Sequence, residues 1–529
     1  MRRALAVALA ALSCTRAAPP PVTAPPRAEE ARAPDRPAPP PSLSEDRVVL
    51  LRAPAAQDVV IRVVFDAGSA DDPAGSEGAT HLAAQWMVEG GTQALSFAEF
   101  SRALFPMAAT VEVQVDRDST TFVGRVHRDN LARFYPIFRD VLLRPRLADD
   151  DFTRLRAQVR SALTMELRGA DDEALGREVI QSLIYQNHPY GHPPLGTERG
   201  LDAVTAESLR AHRDAVLCRD RVRVGLAGDV SDELVETVRR DLATLPARCA
   251  ERPPLPVPTR PSGLHVVLID KPAASATAIS VGFPLAITRR DDDHAALRLA
   301  TDYLGLHRQS LGVLYQTIRE ARGLNYGDYA YAEHFAQEGW TRFPRTNIQR
   351  RQQYASLWIR PVPVPAAHFA LRAALRATQA VVDHGVTQED LARVRTFLDG
   401  YAPLQMQTAS ARLGDALDAQ HNGWGSETWA AHMRARWQSL DAAAVQAAVT
   451  RHLTARDAWV AIIAPNASAL ATALGTNAPS PITYDSPKPA AVLAEDQIIS
   501  TYPLTVRPED VRVVPLDRVF RERDWLRAE

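Results

Sequence analysis

Residues 48–65 read VVLLRAPAAQDVVIRVVF, and residues 266–283 read VVLIDKPAASATAISVGF. The two stretches align without a gap at an offset of 218, with nine identities in eighteen positions. In each, β-branched runs flank a Pro-Ala-Ala turn, the composition of a strand, a turn and a second strand. A second set of matches recurs at an offset of 239: DFTRLR at 151–156 against DLARVR at 390–395, and Leu201-Asp202 against Leu440-Asp441, each expected to open a helical stretch. Two matches at one offset seldom arise by chance, so the chain reads as two copies of one domain of roughly 200 residues. The joint falls in the proline-rich segment ERPPLPVPTRPS at 251–262.

Within the first copy, the two strands lead to a helix over 78–89 that Gly90-Gly91 stops. A helix over 97–104, strands over 110–115 and 120–126, and helices over 131–143, 151–167 and 172–185 follow, then a strand over 221–228 and a helix over 232–245. Such a mixture predicts an α+β fold: two homologous sandwich domains, each a mixed, mostly antiparallel sheet covered by helices, facing each other as a clamshell.

The 529 residues exceed one ordinary domain, and 46% hydrophobic residues suffice for two cores. Sixty-one basic against 63 acidic residues leave a net charge of −2, without the basic excess that nucleic-acid binding demands. All basic residues except Lys271 and Lys488 are arginine, which reads as base composition rather than function. Three cysteines are too few for a disulfide scaffold. Cys218 and Cys249 either pair in an oxidising compartment, closing a loop of about 30 residues worth roughly 3 kcal/mol, or are two independent buried thiols.

At the N-terminus, Arg2 and Arg3 precede an apolar run over 4–12 that ends in Ala11-Leu12-Ser13-Cys14. The run is the length of a signal-peptide core and too short to span a bilayer. Its end resembles the bacterial lipoprotein cleavage box, which implies lipidation of Cys14; the other reading is an ordinary signal peptide cut nearby. Ten prolines between Pro19 and Pro41 make residues 15–45 an extended spacer without a core of its own. The expected organisation is therefore a lipoprotein signal peptide (1–14), a disordered Pro/Ala-rich linker (15–45), a first domain (46–250), a linker (251–262), a second domain (263–480) and a tail (481–529). The expected place is the bacterial cell envelope, lipid-anchored and facing the periplasm or the surface. Thr15 after Cys14, rather than Asp, is compatible with an outer membrane.

Residues 78–92, GATHLAAQWMVEGGT, resemble the zinc-site helix of the insulinase/pitrilysin peptidases. That family carries H-x-x-E-H: two His at i and i+4 share a helix face and bind zinc, and the Glu between them activates the metal-bound water. Here the three positions are His81, Ala84 and Gln85, so one ligand remains, the base is missing and a neutral amide replaces the second His. The resemblance places the third ligand, a Glu on a downstream helix, near 161–166; the alignment falls on Thr164 or Met165, one residue from Glu166. The YQNHPYG loop at 185–191 and Leu195-Gly196-Thr197 resemble the family's connection after that helix. His188 and His192 in it are a conceivable metal pair, although the family uses the loop for no metal.

Residues 319–326, REARGLNY, resemble the family's R-E-x-R-G-L-x-Y element, at the end of a helix expected over 309–322 with an apolar stripe of Leu311, Leu314, Tyr315 and Ile318. Gly323 caps that helix and a strand is expected from Tyr326. The resemblance gives Arg319 and Tyr326 the task of holding substrate backbone and the developing oxyanion across from the zinc domain; the bland alternative is a solvated Arg and a packed Tyr. It spans residues 47–480, and the tail either packs back on the body or contacts a partner.

These readings imply a secreted lipoprotein of the insulinase-like type, resembling the non-catalytic chain of two-subunit members. It would need no cofactor of its own, zinc residing in a homologous H-x-x-E-H partner, and would bind unfolded peptide by strand addition, the membrane through its lipid, and no nucleic acid. The alternatives are a stand-alone peptide-binding or scaffolding lipoprotein, and an active metallopeptidase using His81, Glu166 and a further ligand.

Overall fold

The computed structural model describes residues 42–337, 341–348, 350–425 and 428–527. In the first copy, β1 (Val48–Arg52), β2 (Asp58–Phe65), β3 (Thr110–Val115), β4 (Thr120–His127) and β5 (Val222–Gly228) form a sheet in the order β1-β5-β2-β4-β3. The second copy repeats it with β6 (Leu264–Asp270), β7 (Thr277–Leu285), β8 (Asp328–Tyr331), β9 (Gln353–Val362) and β10 (Ala458–Ala464), in the order β6-β10-β7-β9-β8. The two Pro-Ala-Ala stretches therefore place equivalent strands. The joined strands do not pair with each other: β5 inserts between β1 and β2, and β10 between β6 and β7, each parallel to the first and antiparallel to the second.

The helices of the first copy are α1 (Ala79–Glu89), α2 (Phe97–Leu104), α3 (Leu131–Leu143), α4 (Asp149–Ser161), α5 (Asp172–Ile184), α6 (Glu198–Ala203), α7 (Ala206–Val216) and α8 (Asp232–Leu242). Those of the second are α9 (Asp293–Gly305), α10 (Ala367–His384), α11 (Gln388–Gln405), α12 (Ala409–Asn422), α13 (Trp429–Ser439), α14 (Ala442–His452) and α15 (Ala467–Gly475). Asp151 and Asp390, the paired residues of the 239 offset, each stand third in their helix, α4 and α11. Leu201-Asp202 departs from expectation: it lies inside the short α6, whereas Asp441 caps α14 through its side chain to the Ala444 amide.

Each sheet is buried on both faces because the copies exchange a helix. α5 of the first copy packs on β7 and β10, and α12 of the second packs on β5, β1 and β2. Glycine permits both approaches: a Cβ on Gly282 of β7 would meet Ile184 at 2.6 Å and Ile180 at 2.8 Å, and one on Gly225 of β5 would meet Leu413 at 2.8 Å. Two-sided cover explains why β5 and β7 are buried at every residue and read as continuous apolar runs.

Polar contacts join the copies beside these apolar ones. The Arg350 guanidinium donates to both carboxylate oxygens of Asp116 at 2.7 Å and to Gln181 Oε1 at 2.7 Å. Arg351 holds Asp118, which also accepts from the Tyr190 hydroxyl. Arg62 on β2 reaches Asn347 Oδ1 at 2.8 Å and Ser410 Oγ at 2.9 Å. Lys271 donates to the carbonyls of Arg168 and Gly169 and pairs with Asp172.

Several boundaries differ from the reading of the sequence. The expected helix over 151–167 is α-helical only to Ser161; residues Ala162–Ala170 continue as π-helix, which shifts the side-chain phase beyond 161. The helix expected over 309–322 is shorter and ends in π-turns over Tyr315–Glu320. Leu311 lies outside its stripe, 51% exposed, because Gly312 packs against the end of α9, where a Cβ would meet Gly305 at 2.9 Å. β8 begins at Asp328, two residues after Tyr326. At the N-terminal linker, Leu43 is already buried, exchanging backbone and side-chain hydrogen bonds with Arg239 of α8. Cys218 and Cys249 are joined in a disulfide, with Cα atoms 5.5 Å apart, which ties the chain entering the 251–262 linker to the first copy. The signal segment and Cys14 lie outside the described residues.

The tail is part of the body. After α16 (Ala490–Ser500) packs on α10, β11 (Val506–Pro515) pairs parallel to β6 at the edge of the second sheet. The chain then crosses to the first copy, where Val519, Phe520 and Trp525 are buried in its core. The Glu198 and Arg199 amides donate to the carbonyls of Phe520 and Arg521 at 3.0 and 2.9 Å. The tail thus straps both copies together.

A degenerate zinc helix and the arginine and tyrosine of the 319–326 element

The candidate zinc helix α1 is positioned firmly at its start. Gly78 takes φ +104° directly against Leu195 and Gly196, a conformation and a gap that exclude other residues. The buried carboxylate of Asp72 accepts from the Gly78 and Thr80 amides at 2.7 Å and from Thr80 Oγ1 at 2.6 Å, satisfying free amides of the first turn. Burial pushes the Asp72 carboxyl up to about 7 despite these bonds. The helix ends against Gly91 at φ +76°.

The next residue, His81, is half-buried, and its Nδ1 is enclosed without a hydrogen-bond partner. Burial alone pulls its pKa down to about 4; no carboxylate contributes. One turn on, Ala84 is buried and offers no acid or base, and half-buried Gln85 makes no side-chain hydrogen bond among the described residues. Glu166 stands exposed on the π-helical stretch. Among the described residues, the sole cluster of three His, Cys, Asp or Glu ligand atoms close enough to share a metal is Cys218, Asp220 and Cys249, and its sulfurs are spent in the disulfide. A catalytic zinc needs three protein ligands and a water; α1 supplies one ligand and no general base.

His188 and His192 are structural. Both are buried, and burial lowers them to about 4 and about 3. His188 Nδ1 accepts from the Tyr190 amide at 2.9 Å, and its ring packs against Tyr185 and Tyr190. The loop braces the joint between the copies through the Tyr190 hydroxyl, which accepts from the Arg351 amide of the second copy at 3.2 Å.

The element at 319–326 divides its residues between two tasks. Gly323 (φ +71°) turns the chain, its amide donating to Arg319 O at 2.7 Å. Arg322 points inward onto Asp496 at 2.8 Å and Glu495 at 2.9 Å of the tail helix α16. Asn325 is also buried, donating to Asp328 Oδ1 at 2.7 Å and the Arg360 carbonyl at 3.1 Å. Burial pushes Asp328 up to about 8, so near neutral pH it is largely protonated behind the turn. Arg319 and Tyr326 are what this scaffold presents. Tyr326 is 79% exposed; neither side chain makes a hydrogen bond or ion pair among the described residues. The tyrosine is therefore not packed at the start of a strand. Arg322, Asn325 and Asp328 escaped the reading of the sequence, since the inward set is recognisable only once α16 and β9 are in place.

The two sheets end in equivalent strands beside these features: β3, partly exposed, against which α1 packs, and β8, which follows Tyr326 and is buried throughout.

Residues 47–198 match the profile of the insulinase (M16) peptidase family, and residues 203–398 match that of the peptidase M16 inactive domain. The chain belongs to the insulinase family. An uncharacterized zinc protease of Mycobacterium bovis is 25% identical over 426 residues, covering 80% of this chain and 92% of that protein. A Helicobacter pylori non-peptidase homolog is 21% identical over 354 residues, covering 67% and 77%. In fold, a peptidase M16 inactive domain from Pseudomonas fluorescens superposes with a TM-score of 0.69 at 19% identity over 79% of this chain and 95% of that one. A protease from H. pylori gives 0.66 at 14% identity over 79% and 96%. Relatives named as proteases and as a non-peptidase homolog are both similar to this chain, so membership of the family does not by itself assign an activity. The family's second ligand and base fall on Gln85 and Ala84 here.

Proposed function

We propose that this protein is a catalytically inactive insulinase-family subunit that binds extended peptide and completes the active site of a homologous, zinc-bearing H-x-x-E-H partner. The observation that carries the reading is the contrast within one chain: α1 offers one ligand and no base, while half-buried Arg319 and exposed Tyr326, on either side of the Gly323 turn, have no side-chain hydrogen-bond or ion-pair partner among the described residues. A guanidinium and a phenol fixed in place can receive charge that develops on a substrate carbonyl bound elsewhere. The terminal, partly exposed strand β3 offers main-chain donors and acceptors for a peptide strand. A lipid on Cys14 and the Pro-rich spacer would hold the body at an envelope membrane; no helix among the described residues is long and apolar enough to cross one.

Two measurements test this. The isolated chain, dialysed against trace zinc, is expected to retain none by metal analysis; one tight zinc per chain would restore the reading of an active peptidase, with His81→Ala as the next variant. In a complex with a zinc-bearing family partner, Arg319→Ala with Tyr326→Ala is expected to reduce peptide turnover by about 10²–10³-fold while assembly by sedimentation is unchanged. Undiminished turnover would leave the second reading, a stand-alone peptide-binding lipoprotein, which the partly exposed terminal strand β3 also supports.

A further inference from the structure

Where the copies meet, they enclose a cavity of about 380 Å3. Six arginines line it, Arg223, Arg252, Arg289, Arg290, Arg350 and Arg351, and the acids in its wall among the described residues are Asp66 and Asp118. Part of this charge is compensated. Arg350 and Arg351 are held by Asp116 and Asp118, and Arg289 by Glu333 at 2.8 Å and Asp418 at 3.1 Å behind the wall. The remainder is compensated in part. Asp71 is shared by Arg252 and Arg221, one carboxylate between two guanidiniums. Arg223 pairs with Asp66 and donates to the Leu417 carbonyl through its two terminal nitrogens, leaving a buried Nε without a partner among the described residues. Arg290 has no carboxylate partner among the described residues and donates to the His421 carbonyl.

We propose that this cavity is a binding site for a compact anion carrying two or more negative groups, phosphate or carboxylate. Guanidinium forks match both oxyanions in geometry, and enclosure between two folded bodies strengthens the attraction relative to an exposed surface. The arginines compensated only in part or not at all among the described residues come from β5, the linker and the loop after β7, so a bound anion bridges both copies. Binding to the folded state alone raises the melting temperature in a saturable way. The site is independent of the peptide-binding role.

The test is calorimetric titration and thermal unfolding of the whole protein with pyrophosphate, with citrate, and with sodium chloride at matched ionic strength. Saturable binding of pyrophosphate or citrate with Kd below about 1 mM is expected, with a rise in melting temperature that chloride does not reproduce; the tighter of the two assigns phosphate or carboxylate chemistry. Arg290 is exposed at the mouth, so its replacement leaves the fold intact. Arg290→Gln should weaken binding about tenfold and Arg290→Glu about a hundredfold, with the ligand-free melting temperature unchanged. No saturation by either anion below about 10 mM, or wild-type affinity in Arg290→Glu, overturns the proposal.

Discussion

Asp116→Ala is expected to lower the stability of the folded chain by about 3–5 kcal/mol, read as a fall in the urea midpoint. Asp116 sits at the end of the first sheet, and its carboxylate takes two 2.7 Å hydrogen bonds from Arg350 of the second copy. Both side chains are buried, with 8% and 0% of their surface exposed. Burial by itself would raise the Asp116 carboxyl; the Arg350 guanidinium overrides it and holds the group well below the usual carboxylate range. Removing Asp116 leaves Arg350 charged, buried and supported by one amide oxygen of Gln181, and that unpaired charge is the source of the loss. The pair itself contributes much less than its rupture costs, because forming it strips water from both ions. Asp116→Leu with Arg350→Met is therefore expected to regain most of the lost stability. A single Asp116→Ala variant within about 1 kcal/mol of wild type would mean that water reaches Arg350.

Acid is expected to unfold this protein between pH 6.5 and 4, seen as a cooperative loss of far-ultraviolet dichroism. Burial lowers His81, His188, His212, His294, His368 and His421 to about 4, and His192 and His307 to about 3. His334 is driven well below its ordinary value by the same cause. In the unfolded chain each titrates near 6.5. Below that pH the unfolded state binds protons that the folded state refuses, so stability falls as pH drops from 6.5 through 4. Four carboxyls oppose the trend. Burial raises Asp72 and Asp415 to about 7, Asp328 to about 8, and Asp302 in the same direction, and these lose stability as pH rises above about 4. Nine imidazoles outweigh four carboxyls. With each net proton worth about 1.4 kcal/mol per pH unit, the imbalance is comparable to the stability of an ordinary domain, about 5–15 kcal/mol, within about two pH units. A flat stability profile from pH 7 to 4.5 would show that these rings are hydrated.

Much of the architecture was legible because it rests on local chemistry. The β-branched runs around the Pro-Ala-Ala turns became β1, β2, β6 and β7, and α2, α3 and β3 fall at their expected bounds. The residues at the motif positions of α1 were also legible, since side-chain identity is given by the sequence: no packing turns Ala84 into a base. The misses lie where identity is silent. Apolar periodicity cannot distinguish α-helix from π-helix, and the π-helix at Ala162–Ala170 moved Glu166 out of its assumed phase, while Gly312 packing on α9 left Leu311 outside its helix. The tail lacked a recognisable pattern because its partners, β6 and the core that receives Phe520 and Trp525, lie more than 200 residues away in sequence.

The sequence by itself determined the duplication, the α+β class and the chemistry missing from α1, because repeats, strand composition and the absence of a functional group are properties of residues. Tertiary structure alone decided that the copies exchange α5 and α12, that Arg322 and Asn325 turn inward while Tyr326 is left outside, and that six arginines converge on one cavity. Those outcomes depend on which surfaces meet, and the free energies of burial and charge pairing that select them exist only between residues that folding brings together.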